Sequence, residues 1–173
     1  MVFETERLEM REWDSANIED IEAGFAIYSD PEVVEFIRDG ETIDSLEEQL
    51  DYMLRTEERY RSYGGFPYGR WAMVDKESRE IVGTIILQPL PGWNYVEVGW
   101  HLARRAWGKG YATEAARKCI SHAFENLPID QIVAVVDPRN KRSLAVANRL
   151  GMQDEGMIIA YELDLVFFTQ KRV

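Results

Sequence analysis

The sequence predicts an α+β protein built on one layered sheet of mixed strand direction. Three observations lead there. Segments with strand-like alternation and segments with helical spacing follow one another along the chain. Two compact turns, a charged one at 75–79 and a proline- and glycine-containing one at 89–94, join neighbouring strands and make them antiparallel. A glycine-rich turn leads from the apolar strand 95–102 into a helix, and that helix leads to a further apolar strand, as in a parallel crossover.

The elements follow in order. Residues 7–13 alternate Leu8 and Met10 with charge, as a half-buried strand does. Asp14 or Ser15 caps a helix to about Tyr28, with Ile18, Ile21 and Phe25 on one face. Asp30-Pro31 opens a short helical turn. A longer helix begins after Asp44 or Ser45, carries Leu46, Leu50, Met53 and Leu54 at helical spacing, and stops before Gly64-Gly65. Residues 69–74 and 80–87 read as strands. After the strand 95–102 come the glycine turn and the helix 112–126. Residues 132–136 form a continuous apolar strand, consistent with burial on both faces. A short helix, 142–150, is stopped by Gly151. The tail, 156–169, holds two strand-like pieces around Glu162. No repeat, linker or low-complexity segment interrupts this order, so residues 1–173 read as a single domain.

Composition excludes several function classes. No apolar run is long enough to span a bilayer, and the amino terminus lacks the basic-then-apolar pattern of a signal peptide. The expectation is a cytoplasmic protein with no membrane partner. Cys119 is the single cysteine and falls on an apolar helix face, which suits a buried, inert thiol. No Cys, His and Asp grouping has metal-ligand spacing. The net charge of -11 is uneven: residues 1–62 carry 19 acidic and 6 basic side chains, the remainder 12 and 14. No basic stripe supports nucleic-acid binding. An acidic portion beside a locally basic one suits a polyanionic cofactor and a cationic acceptor. Acids at Glu32, Glu35, Asp39 and Glu41 are expected to attract that acceptor, beside an aromatic loop at 60–68.

The glycine turn, Arg105-Ala106-Trp107-Gly108-Lys109-Gly110-Tyr111-Ala112, carries the functional signal. Two glycines let the backbone approach a ligand closely, and the helix that follows offers unpaired N–H groups and a positive dipole end. Together they form a pyrophosphate site. The spacing is neither the dinucleotide fingerprint nor a P-loop. It is R-x-x-G-x-G.

That pattern resembles the acyl-CoA loop of the GNAT N-acetyltransferases. Three segments are similar to the branch that includes the ribosomal-protein N-terminal acetyltransferases: Thr5 to Arg11, Val96 to Leu102 with Trp107 to Ala115, and Asp137 to Ser143 with Ala147 to Met152. The resemblance implies a mostly antiparallel central sheet flanked by helices on both faces. It also implies acetyl-CoA as cosubstrate. Backbone around Trp100, His101 and Leu102 would hold the pantetheine, N–H groups from Arg105 to Ala112 the pyrophosphate, and Asn140 and Ser143 the cofactor arm. Two positions depart from the branch. Arg104 replaces a usual proline, and with Arg105 adds positive charge beside the pyrophosphate. Ala147 occupies the place where many members carry a tyrosine acid.

Amide formation needs a neutral amine, yet an alkyl ammonium has a pKa of about 10 and an α-amine about 8. A base must take the proton. Glu97, a charge in the middle of an apolar strand, is the candidate, in line with the family's glutamate on this strand. Ser143 is the candidate donor to the leaving thiolate. His101 lies close to the expected acetyl position, and His122 reads as structural. The function expected is transfer of acetyl from acetyl-CoA to a primary amine, a protein amino terminus or a small cation, by direct attack in a ternary complex. The alternative is a CoA-binding sensor or interaction module without catalysis. Open sheet edges near the carboxyl terminus point to a homodimer.

Overall fold

The computed structural model describes residues 2–172. Its strands are β1 (Phe3–Glu4), β2 (Leu8–Glu12), β3 (Gly69–Asp75), β4 (Ile81–Pro89), β5 (Val96–Leu102), β6 (Gln131–Val136), β7 (Gln153–Ala160) and β8 (Leu163–Lys171). They form one sheet in the order β1-β2-β3-β4-β5-β6-β8-β7. The helices are α1 (Ile18–Tyr28), α2 (Pro31–Val34), α3 (Leu46–Ser62), α4 (Tyr111–Asn126) and α5 (Lys141–Leu150). Every neighbouring pair of strands is antiparallel except β5 and β6, which run parallel, as the crossover required.

Local chemistry fixes the turns. Asp75 Oδ1 accepts the N–H groups of Glu77 and Ser78 at 2.8 and 3.0 Å and closes the charged turn between β3 and β4. Tyr161 and Glu162 both adopt left-handed backbone, φ 53° and 62°, matching the twist of the two-residue hairpin between β7 and β8. Side-chain caps start the helices: Asn17 on α1, Asp30 on α2, Ser45 on α3 and Asn140 on α5. Asn17 does this in place of Asp14 or Ser15, because Asp14 Oδ1 is engaged by the Ala16 N–H.

Register assigns each strand residue to a face. Arg70 lies opposite Ile86, Ile86 opposite Gly99, Thr84 opposite His101 and Gln88 opposite Glu97. These residues share one face. Tyr28 of α1 bonds Thr84 there, and Tyr60 of α3 bonds Gln88. Trp71, Ile85, Leu87, Val98 and Trp100 belong to the opposite face. There α4 packs, with Cys119 buried against β4 and the His122 ring 5.6 Å from Trp71. Burial pushes the Cys119 thiol up, so it is inert. His122 is buried among Phe3, Phe66 and Trp71, and its role is structural.

Two helix faces differ from expectation. On α1, Ile21 is buried but Ile18 is 56% exposed. On α3, the apolar stripe faces inward only at Met53: Leu46 and Leu54 are exposed, and Gln49, Thr56 and Tyr60 complete the buried face. The pairing of α1 and α3 sets this rotation. A Cβ at Gly24 would lie 2.3 Å from Gln49 Nε2, so the glycine admits the glutamine and the helices close on each other.

Candidate active site

β5 and β6 pair at one position only, Glu97 opposite Val133. Beyond it β5 continues to Leu102 and β6 to Val136 without ladder bonds, so the parallel strands part. A cleft of about 950 Å³ opens at the parting. Trp100, His101 and Leu102 line it from β5, Ala106 to Glu114 from the glycine turn and α4, and Asn140, Lys141, Arg142 and Ser143 from the start of α5.

The turn presents backbone rather than side chains. Gly108 and Gly110 have φ of 76° and 82°, which only glycine adopts without strain. Among the described residues the N–H groups of Gly108, Lys109 and Gly110 find no backbone acceptor, and those of Tyr111, Ala112 and Thr113 are first-turn donors of α4. Six amides without a backbone acceptor therefore lie along the cleft at the positive end of the α4 dipole, which suits a pyrophosphate. The turn is held from behind. Arg7 Nη1 donates to the Lys109 carbonyl at 2.9 Å, and Arg7 Nε donates to Glu114 Oε2 at 2.7 Å. Thr5 donates to the same carboxylate, and the Tyr111 hydroxyl to Asp75. Arg142 stacks on Trp107 at 3.8 Å, while Trp107 Nε1 donates to the Leu102 carbonyl. On α5, Asn140 Oδ1 accepts the Ser143 backbone N–H at 3.1 Å, which fixes the Asn140 side chain at the cleft mouth. Ala147 is fully buried, so no acid acts from that position.

The two added arginines are not at the pyrophosphate site. Arg104 pairs with Asp30 and Glu32, and Arg105 reaches back to Glu80 and the Ile81 carbonyl. Their charges are neutralised there, and neither side chain lines the cleft. Any cofactor contact of Arg105 is through its N–H. Glu32, expected to draw the acceptor, is the partner of Arg104 and lines the cofactor cleft.

Glu97 sits on the other face, 7% exposed. Its Oε1 accepts Gln88 Nε2 at 2.5 Å and the Tyr161 hydroxyl, while Oε2 has no partner among the described residues. Burial pushes this carboxyl up from its ordinary value, and the two donors pull it partly back. Tyr60 donates to Gln88 Oε1 at 2.7 Å and extends the network to α3. Glu97 borders neither large cleft directly; Gln88 and Tyr161 stand over it. His101 lies 3.3 Å from the Tyr28 hydroxyl. Burial, with the charges of Arg70 and Arg38, pushes it down to about 3, so its imidazole is neutral and serves no proton transfer near pH 7.

Sequence reading missed Gln88, Tyr161, Tyr28 and Arg70, while Tyr60 belongs to the 60–68 loop expected beside the acceptor. The four missed residues come from four elements or turns, and nothing local marks them; only the alternation of β3, β4 and β5 puts Arg70 and Gln88 on the face of Glu97.

A second cleft of about 1090 Å³ lies between α1, α3, the 60–68 loop and β3, with Tyr28, Tyr52, Tyr60, Tyr68 and Arg70 among its walls. Tyr28 and His101 form the partition between the two clefts.

Comparisons with known proteins give the family of this fold. Residues 7–153 match the family model described as acetyltransferase (GNAT) domain. The uncharacterized N-acetyltransferase p20 of Bacillus licheniformis is 32% identical over 159 residues, spanning 91% of this chain and 85% of that protein. The putative ribosomal N-acetyltransferase YdaF of Bacillus subtilis is 38% identical over 77 residues, 44% of this chain and 42% of its own. The crystal structure of an acetyltransferase from Agrobacterium tumefaciens superposes with a TM-score of 0.79 at 25% identity, over 98% of this chain and 94% of that one. The chain belongs to the GNAT acetyltransferase family. It is an acetyl-CoA-dependent acetyltransferase rather than a binding module without catalysis.

Proposed function

We propose that this enzyme transfers the acetyl group of acetyl-CoA to a primary amine by direct attack within a ternary complex. The parting of β5 from β6 beside six amides without a backbone acceptor carries the reading, since it opens the sheet where a thioester arm would lie with its diphosphate on α4. Residues 1–173 act as one catalytic domain. The cofactor set is Trp100, His101, Leu102, the backbone from Arg105 to Ala112, Asn140 and Ser143.

The amine approaches from the side of α1 and α3. Its nitrogen attacks the thioester carbonyl, the N–C bond forms, and the C–S bond breaks. Glu97 takes the ammonium proton, through Tyr161 or a water, because its raised pKa makes it a stronger base than an exposed glutamate. Ser143, at the first turn of α5, gives the thiolate its proton and takes in exchange the second proton that the nitrogen sheds after attack. The amides of β5 polarise the thioester oxygen.

The acceptor is a protein amino terminus or a small amine. The site of action is the cytoplasm, in keeping with a lone buried thiol. A homodimer joined along the open β7 edge, where Met157 and Ile159 are exposed, is the expected assembly, and light scattering checks it. Thiol release from acetyl-CoA with a panel of amines tests the activity. Absence of release with every amine would overturn it.

A further inference from the structure

Arg70 is a charged side chain without a charged partner. It stands on β3 under α1 and α3, half-buried, and its exposed part borders the second cleft. Nη1 donates to the Tyr52 hydroxyl and Nη2 to the Tyr28 hydroxyl, each at 2.5 Å. The guanidinium also lies over both rings, 4.9 Å from Tyr52 and 5.1 Å from Tyr28. Every one of these partners is neutral. The sequence has 31 acidic residues, yet among the described residues none forms an ion pair with Arg70. A guanidinium carries five N–H donors in a planar fork, so three remain for another group. Withdrawing a cation from water is costly unless an anion answers it.

The surroundings reinforce the positive charge. Arg38 lies 4.5 Å over the Tyr52 ring from another direction. Among the described residues its only ion pair is a loose one with Glu48, 3.8 Å, on α3. His101, the next group toward β5, is held neutral by these same two cations as well as by burial. This cleft therefore holds a positive spot where β3 meets the acidic α1–α3 portion of the chain.

Position gives the spot its meaning. Arg70 is in register with Ile86 and, through it, Gly99 of β5. Two strand spacings, about 10 Å, separate the Cα atoms of Arg70 and Gly99. Tyr28, which the guanidinium bonds, also bonds Thr84 and His101 on that face and links Arg70 to β4 and β5. Gly99 lies between Glu97 and His101 on the same face. A Cβ there would meet only Ile86, at 3.6 Å, so the floor above it is open. An amine over Gly99 would face Arg70 across the Ile86 side chain.

We infer that the second cleft binds an acceptor whose amine is accompanied by a carboxylate, and that Arg70 grips this carboxylate in a bidentate pair within the Tyr28–Tyr52 clamp. The substrate class is thus a small amino-carboxylate, and not a peptide amino terminus, whose nearest carbonyl is an uncharged amide. The fork of Arg70 suits the two oxygens of a carboxylate, and a small phosphonate presents the same anionic chemistry. Tyr28 and Tyr52 are positioning residues, holding the fork flat.

The inference rests on the acetyltransfer reading, and the test separates the two. Wild-type enzyme with acetyl-CoA is offered matched acceptors: amino acids, their carboxamides, the decarboxylated amines, aminophosphonates and short peptides. Amino acids should react with kcat/KM on the order of 100-fold above their carboxamides, the scale of a buried charge-assisted fork. Reactive aminophosphonates with inert amino acids would move the subsite from carboxylate to phosphonate and overturn the stated class. Equal rates for acid and amide, or a preference for peptides, would overturn the inference while leaving acetyl transfer intact. No acetylation of anything would overturn the acetyltransfer reading; titration of an N-acetylamino acid into the enzyme with CoA would still decide the subsite, since binding of the acid but not its amide supports it and binding of neither sinks it. Arg70→Gln should erase the acid-over-amide ratio through KM, with acetyl-CoA affinity unchanged. Arg70→Lys should restore part of that ratio and guards against a folding defect in the glutamine variant.

Discussion

The two clefts that meet at Tyr28 and His101 recognise their ligands with different atoms. On the α4 side the donors are main-chain amides, from Gly108 to Thr113, shaped by two left-handed glycines and braced by Arg7. On the α1–α3 side the functional atoms are all side-chain ends: the Arg70 fork and the Tyr28, Tyr52 and Tyr60 hydroxyls at the cleft, with Gln88, Tyr161 and Glu97 networked behind Tyr60. A main-chain site needs a short stretch of sequence and tolerates change around it. A side-chain network needs residues from distant parts of the chain and fails when one is altered. The first should set affinity for the shared cosubstrate, and the second turnover and choice of acceptor.

The largest expected effect comes from Glu97→Gln, which should lower kcat by on the order of 10²–10³ and leave the acetyl-CoA Kd unchanged. Calorimetry beside steady-state rates measures both. Equal loss in the two would merge the clefts into one functional unit. The same variant has a stability signature. In the fold the buried carboxyl holds its proton more tightly than in the unfolded chain, where its value is about 4.5. The stability linked to that proton is therefore present at low pH and lost as pH rises through the raised value. Thermal melts should show Glu97→Gln gaining on the wild type as pH rises from about 5 to 8.

Gly110→Ala comes next, and acts on the other cleft. At φ 82° an alanine costs about 1–2 kcal/mol of strain. Its Cβ would meet only Arg7 Nη2, at an ordinary 3.5 Å, so the backbone and not packing is the cause. Acetyl-CoA affinity should fall about tenfold, with kcat at saturating cosubstrate nearly intact. A collapse of kcat instead would show that the amides also position the thioester.

The same contrast explains what could be read in advance. Strand alternation, the caps at Asp30 and Ser45, the stop at Gly151 and the R-x-x-G-x-G turn are local signals, and the structure places each as expected. The α3 face was misread because Gln49, Thr56 and Tyr60 face inward toward a cleft rather than an apolar core. Periodicity of apolar residues has no means of showing that. Arg105 was misread because its sequence neighbours suggest the pyrophosphate, whereas its guanidinium finds Glu80 and the Ile81 carbonyl behind the turn. Tyr161 lies 64 residues from the carboxylate it touches, in a left-handed hairpin turn whose Tyr-Glu pair carries none of the usual turn signals.

Tyr161→Phe sharpens the side-chain half of the comparison. Its hydroxyl donates to Glu97 and favours the ionised form. Without it the carboxyl rises further, so the limb of the kcat/KM profile governed by Glu97 should move to higher pH, with a rate loss of about fivefold near pH 7. An unshifted profile would leave Tyr161 as a cover over the carboxylate with no part in its ionisation.

Arg7→Ala is the smallest effect and tests whether the main-chain site is self-sufficient. Arg7 is nearly half exposed, so its pair with Glu114 has little stabilising value by itself. Its bond to the Lys109 carbonyl is different, because it fixes the peptide whose N–H groups on either side face the cleft. Loss of that bond should weaken acetyl-CoA binding about threefold, leave kcat alone, and shrink as salt is raised. A loss equal to that of Gly110→Ala would mean that the glycines do not hold the turn open unaided, and that the amino-terminal strand is as much a part of the cofactor site as the turn itself.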